Sequence, residues 1–262
     1  MYTAKQSDST LTLPLQTHIR GILISSLQTH VTTPVRARFP VGVGRNVYRQ
    51  LTGIAPAEFV TQDPFELIAV HPTDITKSVL ESAPRYAQWG RIVDGEWDTE
   101  TEPFWERPVP NAIVDRFKNG SAWEDTTLYE AFSTQLRRFG NAWGHTSIDD
   151  FHVRCATIDR LYEQLDTNGY QTQAALRERG DDPHAVPVLD EINVDIDRNG
   201  ELLWRGYGQH RLAIAAVLNI EYVPVLVHRR HKQWYTKKDV ADATKRREPY
   251  VDVFTSRREP YE

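Results

Sequence analysis

The chain has 262 residues, 40% of them hydrophobic and 26% charged, enough to bury a core of one or two domains. Its net charge of −5 argues against a surface that grips nucleic acid throughout, and is too mild to signal adaptation to high salt. The single cysteine, Cys155, excludes internal disulfides and any cysteine-based metal cage, and no apolar run reaches the ~18 residues of a membrane span.

Residues 1–12 are polar and read as an unstructured lead without a signal-peptide core, so the expectation is a soluble, cytoplasmic protein with no membrane contact. Leu13 to Val31 places Leu15, Ile19, Ile22, Leu23 and Leu27 at helical spacing. Thr32 to Gln50 carries Arg36, Arg38, Arg45 and Arg49 with no acid between them. That segment reads as solvated strand and loop, or as an arm that meets DNA or a protein partner. Gly42-Val43-Gly44-Arg45 has no third glycine, so it is not a dinucleotide fingerprint. Phe65 to Val70 reads as a strand, and His71 to Ile75 as a turn stopped by Pro72.

Residues 89–126 set tryptophans beside acids: Trp89, Trp97, Trp105 and Trp123 among Asp94, Glu96, Asp98, Glu124 and Asp125. One reading is a pocket with indole faces for a base or sugar and acids as metal ligands or proton acceptors, with Asp98 the preferred candidate. The other is a small tryptophan core with a hairpin turn at Asp94-Gly95. Glu124 and Asp125 also suit the start of a helix over Thr127 to Phe139. Phe151 to Asn168 carries an apolar face at helical spacing that includes Cys155, and Gly169 closes it. Arg177 to Pro187 reads as a loop. Ile192 to Asp197 alternates as a half-buried edge or hairpin strand, ending at the turn Arg198-Asn199-Gly200. It would bring Asp190, Glu191, Asp195 and Asp197 towards the segment that follows, each read first as a solvated strand end and second as a candidate for a metal or a hydroxyl.

That following segment organises the chain. Glu201 to Tyr207 reads as a strand, Gly206 and Gly208 bracket a turn, and Gln209 to Leu218 is an apolar helix whose first turn holds Gln209, His210 and Arg211. A helix start has free N–H groups and partial positive charge, and a preceding glycine lets an anion approach. Most such glycines are simple turns, so the two readings stand side by side. Val223-Pro224-Val225-Leu226-Val227 is a further strand, and His228-Arg229-Arg230-His231-Lys232 reads as a phosphate-touching run or a solvated strand end. The motif Arg-Arg-Glu-Pro-Tyr occurs at 246–250 and again at 257–261, in a segment expected to be a flexible tail that meets a partner.

The stretch Asn193 to Ala215, with Gly208-Gln209-His210-Arg211 followed by Val223-Pro224-Val225, resembles the core of the ParB/sulfiredoxin superfamily. The likeness spans roughly Asp149 to Trp234, about a third of the chain, and includes a helix ending at Gly169 before an expected pairing strand over Tyr170 to Gln173. Partition ParB proteins have Gly-Glu-Arg-Arg at this place, sulfiredoxin Gly-Cys-His-Arg, and the free-serine kinases Gly-His-His-Arg. The resemblance implies an α/β (α+β) fold: a small mixed sheet with helices over 149–236, a tryptophan-rich α+β region over 1–148 packed on it, and a tail over 237–262. It also implies that the loop holds nucleotide phosphates, of ATP or CTP with Mg2+, through Arg205, Gly206, Gly208, Gln209, His210 and Arg211. Asp98, Glu191 and His210 are the candidate catalytic groups of an NTPase or small-molecule phosphotransferase, and no residue is assigned as a metal ligand. The alternative is a non-catalytic ParB-like module bound to DNA or protein, although the chain has no clear basic recognition helix. Gln209 replaces the sulfiredoxin cysteine, which removes sulfinic-acid reduction from the expectations, and the kinase acids have no counterpart that can be assigned.

Overall fold

Short apolar runs such as Leu67–Val70 and Ile192–Ile196, joined by the polar strands Lys77–Val79 and Thr101–Pro103, build one mixed sheet of seven strands. The computed structural model describes residues 60, 63–80, 89–180 and 190–237. The expected helix over 13–31, the arginine segment over 32–50, most of the loop before Pro187 and the repeated tail motif lie outside these residues. The strands are β1 (Leu67–Val70), β2 (Lys77–Val79), β3 (Arg91–Val93), β4 (Thr101–Pro103), β5 (Ile192–Ile196), β6 (Leu202–Trp204) and β7 (Val223–His231). Their order is β1-β7-β5-β6-β2-β4, and β3 pairs with the later half of β7. β7 runs parallel to β5 and β3, and β6 runs parallel to β2; the remaining pairs are antiparallel.

The helices among the described residues are α1 (Pro108–Lys118), α2 (Thr127–Phe139), α3 (Ile148–Asn168), α4 (Gln173–Glu178), α5 (Gln209–Val217) and α6 (Lys232–Tyr235). The class is α+β, as expected. α2 starts at Thr126, whose hydroxyl accepts the Tyr129 N–H, and is closed by the left-handed Gly140. α3 starts with a capping box: Ser147 accepts the Asp150 N–H, and the Asp150 carboxylate accepts the Ser147 N–H. α5 packs on β5 and against α1 and α3. The core between them joins Ile192, Val194, Val225, Leu212, Ile113 and Phe151. A smaller cluster gathers Trp89, Ile92 and Leu226.

The expected boundary at 148/149 does not divide the sheet, because β1–β4 come from before it and β5–β7 from after it. β5 forms a hairpin with β6 around the turn after Ile196, as expected, but it is neither an edge nor half-buried. It lies between β7 and β6, and all five residues are buried. The turn at Asp94-Gly95 is not a hairpin, since β3 pairs with β7 and β4 pairs with β2. The expected strand over Tyr170 to Gln173 is a bend into α4, capped by Thr172, and that helix also takes Arg177 and Glu178 out of the expected loop. The basic run from His228 is not a solvated strand end as far as His231, and only its last residue, Lys232 at the start of α6, is exposed. β7 continues to His231, with His228, Arg229 and His231 buried.

Candidate functional site

The turn from β6 into α5 uses two left-handed glycines, Gly206 at φ 84° and Gly208 at φ 75°. Gly208 is fixed by contact as well as by conformation: a Cβ there would stand 2.8 Å from the Cα of Ile192. The glycine therefore lets α5 start flat against the first residue of β5. No side chain caps that start. Its free N–H groups and its partial positive charge face a cleft of about 500 Å³, walled by α3, α4 and the turn. Leu161, Leu165, Tyr170, Arg179, Gly208 and Arg211 are among its lining residues.

Arg211 reaches back across this cleft. Its guanidinium donates to the Asp190 carbonyl, to Glu191 Oε2 at 3.3 Å and to the Tyr170 hydroxyl at 3.3 Å. Glu191 is fully buried, and its Oε1 accepts the Gln173 N–H at 2.6 Å, so one carboxylate ties α5 to the start of α4. His210 stands at the junction with a second chamber of about 350 Å³, which it lines with Asp150, Arg154, Ile158 and Leu161. Its Nε2 lies 3.4 Å from Arg154 Nη2. Burial, with the charges of Arg154 and Arg211, pushes the His210 imidazole down to about 4. At neutral pH it is an uncharged donor and acceptor, not a cation.

Among the expected site residues, Gly208, His210 and Arg211 line the cleft, and Glu191 supports it from behind. Gly206 and Gln209 belong to the turn and first helical residue without lining either chamber. Arg205 turns away: it is buried and donates to Asp195 Oδ2 at 2.8 Å, in a cluster where Arg229 Nε meets the same oxygen at 3.0 Å. Asp98 is not part of the site. It accepts the N–H and the guanidinium of Arg198 at the turn after β5, about 20 Å along the strand from Gly208. Burial alone would raise its carboxyl; the Arg198 guanidinium and N–H outweigh that and bring it to about 2. Asp195 and Asp197 are likewise committed, the latter to the N–H groups of Asn199 and Glu201.

Among the described residues the tryptophans beside acids are held by separate contacts. Trp89 is buried against His228, Trp97 lies over the Arg229 guanidinium at 3.7 Å, and Trp123 donates to Asp159 at 3.1 Å. Cys155 is buried in α3, and burial pushes its thiol up to about 12, which removes it from nucleophilic chemistry. The sequence reading missed Arg154 and Arg179. Arg154 had a visible signal, since it is a cation three residues after Phe151 and four before Ile158, beside the apolar face of α3. Arg179 had none, because it reaches the cleft only through the bend at Thr172. Among the described residues no group of three or more His, Cys, Asp or Glu can hold a metal ion. No helix among them is long and apolar enough to cross a membrane. The chain matches no protein-family model, no curated protein and no solved structure.

Proposed function

We propose that the chain is a ParB/sulfiredoxin-like protein that binds a nucleotide, ATP or CTP with Mg2+, in the cleft before α5. The observation that carries this reading is the uncapped start of α5 opening into a cleft of about 500 Å³ between Arg179 and Arg211. That volume falls in the range of small-molecule sites, about 300–1,000 Å³. Phosphate oxygens would take the N–H groups that follow Gly208, with the cations neutralising the remaining charge. The acids that line the two chambers, Asp190 and Asp150, come singly, so a magnesium ion would arrive with the phosphates and keep most of its water.

Hydrolysis or phosphoryl transfer is the enzymatic form of the proposal, since such reactions need positioning and charge stabilisation more than covalent chemistry. Neutral His210 is the one candidate catalytic group that lines both chambers. The non-catalytic alternative, a module that binds nucleotide and engages DNA or protein, has its own support. Glu191 is spent on Arg211 and Gln173, and Asp98 lies at the far end of β5. Calorimetric titration with ATP, CTP, ADP and GTP, with and without magnesium, tests the shared premise. The expected outcome is micromolar binding of one nucleotide and at least about a tenfold loss in Arg211→Ala, the scale of one charge-assisted hydrogen bond. Circular dichroism of the variant checks that unpairing Glu191 has not unfolded it. Phosphate release under the same conditions separates the enzyme from the module. Absence of binding to all four nucleotides would reduce the loop to a structural turn.

A further inference from the structure

Two arginines flank His210, and their charges are answered differently. Arg211 has Glu191. Arg154 has no carboxylate within ion-pair distance among the described residues. Its contacts are His210 at 3.4 Å and the face of Trp143, 5.8 Å from the guanidinium carbon to the ring centroid. Its Nε is buried and makes no hydrogen bond. The acid one turn earlier on α3, Asp150, lines the same chamber, but its carboxylate accepts the N–H groups of Thr146 and Ser147, each at 3.0 Å. A half-buried guanidinium whose Nε has lost water and that has gained no anion is costly, and burial holds Arg154 below its ordinary value.

The chamber around it has a definite character. Val153, Ile158, Leu161 and the Thr157 side chain make apolar walls along α3. At one end the tight turn Ala142–His145 presents His145 to the chamber and holds Trp143 at φ 51°, with 43% of its surface exposed. At the other end His210 is uncharged and supplies no counter-ion. A wholly apolar ligand would leave Arg154 unanswered, and a free inorganic ion would leave the walls wet.

We infer that the second chamber is a separate ligand subsite, in which Arg154 receives the oxyanion of a small molecule whose body is apolar. The oxyanion is a carboxylate or a phosphate monoester; both present two oxygens to a guanidinium. The body lies against Val153, Ile158 and Leu161. The subsite does not depend on nucleotide binding at the glycine turn, and its test uses no nucleotide.

Benzoate, phenyl phosphate and benzyl alcohol share one apolar body and differ in the group it carries. Each is titrated into the full chain and followed by NMR. At least one of the two anions is expected to bind about tenfold or more tightly than the alcohol, and the better one identifies the oxyanion. Arg154→Met keeps the alkyl stem and is expected to bring that anion down to the alcohol's affinity. Thr157→Phe, which fills the chamber and leaves Arg154 in place, is expected to abolish binding of all three, whereas Arg211→Ala leaves it unchanged. Anion binding that survives Arg154→Met, equal binding of the alcohol, or no binding of any probe to the wild-type chain would each overturn the proposal. Binding lost in Arg211→Ala instead would move the anion to the glycine turn.

Discussion

An imidazole normally takes up a proton near pH 6.5, and His210 does so only near 4. Between those values the unfolded chain binds a proton that the folded chain does not. Stability therefore rises with pH across the window and is lost as pH falls from about 6.5 towards 4. Replacing the side chain by one that does not titrate, His210→Gln, removes that loss. Urea unfolding of both proteins at neutral pH and near pH 4.5 should show the wild type losing more stability than the variant, by about 2 kcal/mol. Equal losses would mean that His210 is charged in the fold, with a counter-ion at the chamber junction. Asp98 follows the opposite logic. Its depressed carboxyl stabilises the fold above the ordinary carboxylate range, and that contribution fades only as pH falls towards 2.

At the scale of elements, the start of α5 depends on how closely it approaches β5. Gly208 and Gly144 both have positive φ, 75° and 90°, but only Gly208 has a neighbour in the place of a Cβ. Gly144→Ala bears the conformational cost alone, about 1 kcal/mol; Gly208→Ala adds a clash with the Ile192 backbone and should cost about 3 kcal/mol or more. Denaturant unfolding of the two variants measures the difference. Equal costs would mean that α5 can lift from β5, and that the cleft is less rigid than its geometry. These local features were legible in the sequence. Thr127 to Phe139 is α2 to the residue, and Gly208 with the apolar run behind it announced α5. What a local pattern cannot carry is the partner of a buried polar group. The alternation of Ile192, Val194 and Ile196 suggested a wet face, yet Asn193 and Asp195 are buried, met by Trp89 from one segment and by Arg205 and Arg229 from two others. The same partners drew the basic residues of β7 inside. At the site, the glycine turn was readable because it is local. The chamber opposite was not, because Arg154 meets His210 only after the chain has passed through α4, β5 and β6.

The whole molecule decides whether residues 149–236, expected from the sequence to form a domain, are a body in their own right. Its two outer strands each lean on earlier sequence. β7 is bordered by β1 and β3 along the edge away from β5, and β6 is bordered by β2. Removing residues before 149 would open both edges at once and leave rows of unpaired N–H and C=O groups. It would also strip α1 from α5 and take Phe104, Ile113, Leu128 and Phe132 out of the core that Leu212 and Ile214 share. Residues 149–237 expressed alone should therefore lack a cooperative thermal transition and tend to aggregate, whereas residues 60–237 should melt cooperatively. Circular dichroism melts with matched size-exclusion profiles make the comparison. A sharp transition in the shorter fragment would mean that β5–β7 with α3 and α5 suffice for a core. The four earlier strands would then be an addition to a domain bounded at residue 149, and the sequence-level likeness would describe a complete folding unit. Loss of the transition instead makes the tryptophan-rich region structural: it supplies the edges and a share of the core, Phe104, Ile113, Leu128 and Phe132 among it, on which the glycine turn and both chambers depend.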